Sequence, residues 1–159
     1  MQAKPQHEHD WLQQLVGNWT CETECSMGPD QPPMKWKGLD TTRTLGGLWV
    51  ISEGEGEMPD GDTGRTIMTL GFDPTRNRFV GSFVGSMMTH LWLYEGSLDA
   101  SEKVLTLNAE GPDMTQKRMA MYHDIIEIVS DDHRMLSSEI QLEDGSWHRF
   151  MTGHYHRVK

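Results

Sequence analysis

Aromatic, histidine and arginine side chains recur at every second position in three stretches of the chain, which is the spacing that places side chains on one face of a β-strand. The first stretch is 83–99, FVGSMMTHLWLYEGSLD, and the others lie at 116–129 and 146–157. The residues that could form a binding site are His90, Trp92, Tyr94, Met121, His123, Trp147 and Arg149. A few polar groups among apolar side chains are typical of a small-molecule pocket.

Arg149 has the most definite chemistry of this set, because a guanidinium keeps its charge when buried and must find a partner. Pairing with Glu127 would make Arg149 a structural residue. An incomplete pairing would leave Arg149 and His123 to bind a ligand carboxylate or phosphate, with the aromatic rings and Met121 around an apolar part. His90 or His123 acting with Glu127 as an acid/base pair is the corresponding hypothesis for an enzyme, and no catalytic residue is assigned.

Metal and disulfide chemistry find little support in the sequence. His154 and His156 share a strand face, but no third ligand is evident beside them, so we expect no metal site. Cys21 and Cys25 would lie about 13 Å apart on a strand, at ~3.3 Å per residue, which is too far for a disulfide. We therefore expect two reduced thiols and no cofactor.

The composition limits the partners. The 159 residues include 14 basic and 24 acidic ones, which gives a net charge of −10 at pH 7. Nucleic acids and anionic membranes bind faces rich in Lys and Arg, so neither is an expected partner. No run approaches the roughly 20 apolar residues of a membrane span, and residues 1–17 have no signal-peptide core. We expect a cytoplasmic protein whose partners are a small apolar or amphipathic ligand and, as an open alternative, a second copy of itself.

The elements that must position these residues are a short helix and a long series of strands. Apolar residues at 11, 12, 15 and 16 predict a helix over about 6–15, and the period changes to two after Gly17. About ten strands run from residue 18 to the C-terminus, joined by short turns such as Asp144-Gly145. We predict one all-β domain over residues 1–159, a closed antiparallel up-and-down barrel, with a sandwich as the competing fold.

Alternation in the later strands predicts which side chains point into such a barrel. The predicted inner set is Leu105, Leu107, Met119, Met121, Ile125, Leu136, Ile140, Leu142, Trp147 and Met151. The predicted outer set is Arg118, Asp124, Glu139, Gln141, His148, His154 and His156, because burying charges is costly unless they are paired. Met87, Leu91 and Leu93 then form an outer face that we expect the helix or a second subunit to cover.

Ordered motifs along almost the whole chain, among them EHDWLQQLVGNWT, TLGGLWV, MTLGFDP and DIIEIVSDDHRML, resemble the bacterial domain-of-unknown-function family 1579. The resemblance implies a calycin-like antiparallel barrel and offers no catalytic residue to transfer. Gly17-Asn18-Trp19 also resembles the G-x-W opening of lipocalins, in which the tryptophan closes one barrel end beneath a late arginine. By that resemblance Trp19 and Arg157 are expected to close the barrel, with the guanidinium stacked on the indole.

Three functions follow from this interpretation. The first is a barrel that binds a small apolar or amphipathic molecule. The second is a small enzyme of lyase, isomerase or hydrolase type that uses an interior histidine. The third is a structural or interaction protein whose barrel is packed solid.

Overall fold

The computed structural model describes residues 2–159 and contains one helix followed by ten strands. The elements are α1 (His7–Gln13), β1 (Gly17–Cys25), β2 (Met34–Leu45), β3 (Trp49–Glu57), β4 (Thr63–Asp73), β5 (Arg78–Gly85), β6 (Trp92–Leu98), β7 (Val104–Pro112), β8 (Met119–Ser130), β9 (His133–Gln141) and β10 (Trp147–Arg157). The helix lies within the predicted range of 6–15.

The strands form one closed antiparallel barrel in which each strand pairs with its neighbours in sequence and β1 pairs with β10. The closing ladder runs from Trp19 opposite Arg157 to Cys25 opposite Met151. Closure leaves no unpaired edge strand. The predicted barrel of about ten strands is therefore confirmed, the sandwich is excluded, and the architecture is consistent with a lipocalin-like fold.

Helix α1 covers the end of the barrel at which β1 begins; we call this the helix end. Leu12 and Leu15 are 0% and 2% exposed and pack, with Trp11, into the main hydrophobic core. A helix of seven residues is too short to be stable alone in water, so this packing holds it in place. Its backbone lies beside β3 and β4, and the Trp11 ring also packs edge-on against Phe79 of β5.

The other end of the barrel, which we call the mouth, is bordered by the loops that follow β1, β3, β5, β7 and β9. Aromatic rings surround it. Trp92 packs edge-on against Tyr122, with ring centroids 4.9 Å apart, and Tyr122 against Phe150 at 6.1 Å. A Cβ on Gly111 would lie 2.2 Å from the Trp92 ring, so only glycine lets this indole lie against β7.

The inner and outer faces differ from the prediction on β8. The inward side chains there are Ala120, Tyr122, Asp124 and Ile126, whereas Met119 and Met121 are 49% and 40% exposed on the outside. Ile125 also lies on the outer face. The prediction kept Asp124 outside to avoid a buried charge, but Tyr94 and Ser138 on other strands donate hydrogen bonds to its carboxylate. Hydrogen-bond partners on other strands reduce the cost of burying this carboxyl, which the prediction had taken to be unpaired.

Predictions for the other strands are confirmed in part. Leu105, Leu107 and Ile140 are buried, Leu136 packs against the core, and Glu139 lies outside. Trp147 and Leu142, which were predicted to be inside, are 38% and 42% exposed. A register shift between Arg149 and Met151 changes the alternation of β10, so that Met151 lies opposite inward Ser138 while Arg149 lies opposite outward Glu139.

The apolar outer face near the mouth is uncovered in the structure. Leu91 and Leu93 are 53% and 64% exposed, beside Ile67 and Val84, which pair across β4 and β5. The expectation that α1 covers this face is wrong, because α1 packs against β3 and β4 at the helix end. No helix in residues 2–159 is both long enough and apolar enough to span a membrane.

Candidate functional site

A buried arginine lies inside the barrel near the helix end. Arg134 on β9 is 5% exposed, and its guanidinium carbon lies 4.7 Å from the centroid of Trp19 and 4.3 Å from that of Tyr155. Cross-strand pairing places Tyr155 beside Arg134, because the two residues are opposite each other on β9 and β10. Two aromatic faces thus stabilise the buried charge by cation–π contact.

Asp40 is the acidic neighbour of this guanidinium. Its Oδ1 lies 3.6 Å from Arg134 Nη2 and accepts a hydrogen bond of 2.7 Å from Thr42, whose hydroxyl also bonds Ser52 at 2.6 Å. Burial raises the pKa of Asp40, against the opposing effects of the Thr42 hydrogen bond and the Arg134 charge. Nε and Nη2 of Arg134 are buried and donate no hydrogen bond to any residue of 2–159. The pair is therefore an ion pair without full hydrogen-bond satisfaction.

A second buried carboxyl, that of Asp124, lies on β8, the strand beside β9. Asp124 accepts a hydrogen bond of 2.6 Å from Ser138 and a short one from the Tyr94 hydroxyl. Burial raises the pKa of Asp124, and these two hydrogen bonds oppose the change. Burial and the Asp124 charge raise the pKa of Tyr94 well above its usual value. Each carboxylate oxygen of Asp124 therefore accepts a hydrogen bond, whereas Nε and Nη2 of Arg134 have no partner among residues 2–159.

Trp19 and Arg157 lie in contact at the helix end. Trp19 is 2% exposed, and the guanidinium carbon of Arg157 lies 4.3 Å from its ring centroid. Arg157 also donates to the carbonyls of Val16 at 2.7 Å and Gln14 at 3.0 Å. Gly17 has φ +143°, and a Cβ there would lie 2.3 Å from Arg157 Nη1. The backbone at Gly17 therefore requires glycine for this contact.

Space remains inside the barrel, because several inward side chains are only half-buried. Cys21, Ser52 and Tyr155 lie on inner faces yet keep part of their surface accessible. Cys21 and Cys25 are free thiols whose pKa is raised by burial. Arg134 and Trp19 also border a cleft of about 220 Å³ beside the end of α1, together with Arg157. Polar groups and accessible space therefore coincide inside the barrel.

The structure separates the seven residues that the sequence grouped into one site. Trp92 and Tyr94 are inward-facing, and His90 lies at the mouth, where its ring packs edge-on against Trp92 at 4.7 Å and its Nε2 lies 2.9 Å from the Glu110 carbonyl oxygen. Met121, His123, Trp147 and Arg149 lie outside the barrel. Arg149 therefore cannot act as the interior charge.

The outer residues form a separate cluster. His123 stacks on Trp147 with centroids 3.7 Å apart, and its Nδ1 lies 2.8 Å from Glu139 Oε1. Glu139, and not Glu127, is therefore the carboxylate beside His123. Arg149 lines an open cleft of about 490 Å³ with Glu24, whose carboxylate opposes the binding of an anion there.

Sequence reasoning missed Arg134, Asp40, Asp124 and Tyr155. A signal was available for Arg134, because it shares the alternate positions of β9 with Leu136 and Ile140, which were predicted to be inside. Tyr155 had a similar signal, because it shares the alternate positions of β10 with Met151, which was predicted to be inside. Asp40 had no comparable signal, since its partner Arg134 lies on another strand. Within residues 2–159, no group of three His, Cys, Asp or Glu side chains has an arrangement that could hold a metal ion.

Comparison with known proteins extends the description of the fold. The crystal structure of Rv2717c from M. tuberculosis has a TM-score of 0.63 and 14% identity, covering 98% of this chain and 100% of that one. A fluorescence-activating β-barrel designed de novo has a TM-score of 0.52 and 13% identity, covering 94% of this chain and 98% of that one. The structure of EF1p2_mFAP2b bound to DFHBI has a TM-score of 0.51 and 11% identity, and the match covers 94% of this chain and 98% of that one.

At these identities the likeness concerns the fold alone. A comparison with curated proteins yields no match. The family described as protein of unknown function, DUF1579, matches residues 4–157, and the chain belongs to this family.

Proposed function

We propose that the protein binds a small amphipathic molecule inside its barrel, with entry through the mouth. The observation that carries the proposal is that inward-facing Cys21, Ser52 and Tyr155 remain half-buried within a closed barrel. A solidly packed core would cover such side chains. A closed barrel with polar groups in accessible space is the usual setting of a small-ligand site.

The two ends of the barrel have different chemistry, and this difference orients the ligand. The mouth carries the rings of Trp92, Tyr122 and Phe150. The helix end carries Arg134 and Asp40. An amphipathic molecule would place its polar group toward the helix end and its apolar body among the aromatic rings. A barrel of similar fold has been solved bound to DFHBI, which supports the capacity of this architecture to hold a small molecule.

The two alternatives receive less support. A packed structural barrel would have its interior polar groups paired, whereas Arg134 has two donors without a hydrogen-bond partner among residues 2–159. An enzyme based on His90 or His123 would need an interior imidazole, but His123 lies on the outer surface and His90 at the mouth. A ligand-binding barrel therefore fits the geometry best.

The proposal is tested by placing a phenylalanine at an inward position of β3 and, as the control, at the adjacent outward position. Ser52→Phe adds a ring to the interior, whereas Glu53→Phe adds the same ring to the outer face. Tryptophan fluorescence and melting temperature report binding across a panel of fatty and aromatic acids and their neutral analogues. We expect Ser52→Phe to weaken binding at least about tenfold, the equivalent of roughly 1.4 kcal/mol, and Glu53→Phe to leave it unchanged.

Far-UV circular dichroism checks that each variant folds, and Thr66→Phe, at another half-buried inward position, serves if Ser52→Phe does not. Equal weakening by the inner and outer variants would place the ligand outside the barrel. If no compound in the panel changes the fluorescence or the melting temperature, the proposal fails and the packed barrel replaces it.

A further inference from the structure

We infer that Arg134 is the anchor of the ligand and that the ligand carries an anionic head, a carboxylate or a phosphate group. This inference rests on the proposed function and adds the chemical class of the molecule. It assigns to Arg134 the role that the sequence had suggested for Arg149.

Arg134 keeps its positive charge inside the barrel. A guanidinium is not neutralised at any ordinary pH. Among the titratable groups around it, the pKa values of Cys21 and Tyr155 are raised by burial, so both are neutral near pH 7. Arg157 is a second cation. Asp40 is therefore the one acidic group that faces Arg134 among residues 2–159.

Asp40 does not provide a hydrogen-bond acceptor for the buried donors of Arg134. The distance of 3.6 Å between Nη2 and Oδ1 is too long for a hydrogen bond, and the same Oδ1 already accepts from Thr42 at 2.7 Å. The rings of Trp19 and Tyr155 attract the charge, but an aromatic face is a poor acceptor for N–H donors. Two buried donors thus remain without an acceptor in residues 2–159.

Two guanidiniums, those of Arg134 and Arg157, lie over the Trp19 ring at the helix end. Arg157 donates to three carbonyl oxygens, those of Gln14, Val16 and Asp131, at 2.7–3.2 Å. Its hydrogen-bonding capacity is used by the protein itself. Arg134 has the same chemistry at the same end but no such acceptors, which is the arrangement expected of a residue whose partner is a bound molecule.

A bound anion has to reach the Nε and Nη2 donors of Arg134. They are covered in this structure, with Asp40 beside them. A carboxylate or phosphate oxygen at hydrogen-bond distance would offer a stronger, charge-assisted partner than Asp40 does at 3.6 Å. The head group would therefore take the place of the Asp40 carboxyl, which moves aside or becomes neutral. Asp40 thus opposes an anion, and its neutral replacement should favour one.

The test uses decanoate and its neutral analogue decanol, measured by isothermal titration calorimetry on the full chain. We expect the parent protein to bind decanoate at least about tenfold more tightly than decanol, the worth of one charge-assisted hydrogen bond. Arg134→Met should remove this preference and keep the affinity for decanol. Arg149→Met changes an exposed arginine on the outer face and is the matched control, which should behave as the parent does.

Asp40→Asn is a second test variant, in which we expect a gain of affinity for the anion. It should tighten decanoate several-fold and leave decanol unchanged, which a purely structural ion pair would not do. If Arg134→Met fails to fold, as judged by circular dichroism, Asp40→Asn still tests the inference, since an unchanged or weaker affinity for decanoate in a folded Asp40→Asn protein would overturn it.

The outcomes separate the two proposals. Equal binding of decanoate and decanol by the parent overturns the anionic head while the proposed function stands. Absence of binding by both compounds contradicts the proposed function itself. If Arg149→Met and Arg134→Met reduce the preference for decanoate equally, that preference reflects attraction to the protein surface. This result would overturn the role of Arg134.

Discussion

Asp124 illustrates at the scale of one residue how this barrel tolerates a buried carboxyl. Ser138 and Tyr94 both donate hydrogen bonds to it, and hydrogen bonds to the charged form offset part of the cost of burial. Burial nevertheless has the larger effect and raises the pKa of Asp124. Protonation of Asp124 therefore favours the folded state. The acidic residues of the hairpin turns have the opposite effect; Asp144 is an example, because hydrogen bonds from Ser146 lower its pKa and its protonation disfavours the folded state.

We expect the stability difference between the parent protein and Asp124→Asn to depend on pH. Because the native pKa of Asp124 is raised above its unfolded value of about 4, the native state binds the proton more tightly. Its contribution to the free energy of unfolding therefore rises as pH falls through the native pKa, and becomes constant below the unfolded one. Urea unfolding should show the parent gaining stability relative to the variant as pH falls.

The control for this experiment is Asp144→Asn, since the native pKa of Asp144 is lowered. That group stabilises the protein above its unfolded pKa, and the stabilisation is lost as pH falls through the native value. The parent should therefore lose stability relative to Asp144→Asn over the same range. The raised pKa of Asp124 would be contradicted if the stability difference between the parent and Asp124→Asn were constant with pH, or if it changed with pH in the same direction as the difference for Asp144→Asn.

At the scale of elements, helix α1 and the strands beneath it depend on one another. Leu12 and Leu15 lie in one core cluster with Leu70, Phe72 and Phe79. His9 ties the helix to β4 as well, because its Nε2 lies 2.9 Å from the Phe72 carbonyl oxygen. The helix has too few residues to form alone, and without it the apolar side chains of Leu70, Phe72 and Phe79 would lose their cover from water.

We expect Leu12→Ala to reduce the free energy of unfolding by about 2–5 kcal/mol, the usual cost of removing a fully buried leucine side chain. Leu12 is 0% exposed. Asp10→Ala, at an exposed position of the same helix, is the matched control and should change stability by less than about 0.5 kcal/mol. Equal effects in urea unfolding would show that the buried face of α1 does not hold the helix end.

At the scale of the whole molecule, closure between the first and last strands is the central feature. β10 pairs with both β1 and β9, and it carries Tyr155 and Arg157, which contact the Arg134 and Trp19 side chains. These contacts join the two ends of the chain, so the barrel forms through non-local pairing and is expected to fold slowly. Loss of β10 would expose two strand edges at once.

We expect a chain that ends at residue 146, and so lacks β10, to lose cooperative thermal unfolding. Deletion of Lys159 alone is the control, because it removes one exposed ion pair with Asp132, and such pairs contribute about 0–1 kcal/mol. Circular dichroism and tryptophan fluorescence followed on heating distinguish the two chains. A cooperative transition in the shorter chain at the parent temperature would show that closure is not required for the fold.

The sequence by itself determined the architecture, because hydrophobic period and turn residues are local properties. The change of period at Gly17 located the helix and the first strand, and serial short turns allowed a barrel. The pairing of Trp19 with Arg157 was suggested only by the resemblance to lipocalins, and their role in closing the barrel stays a prediction. Only the tertiary structure decided the face of β8 and the identity of the interior charge. Both depend on partners from other strands, namely Tyr94 and Ser138 for Asp124, and Asp40 and Tyr155 for Arg134. Strand register with its bulges, which brings these partners together, cannot be read from local spacing.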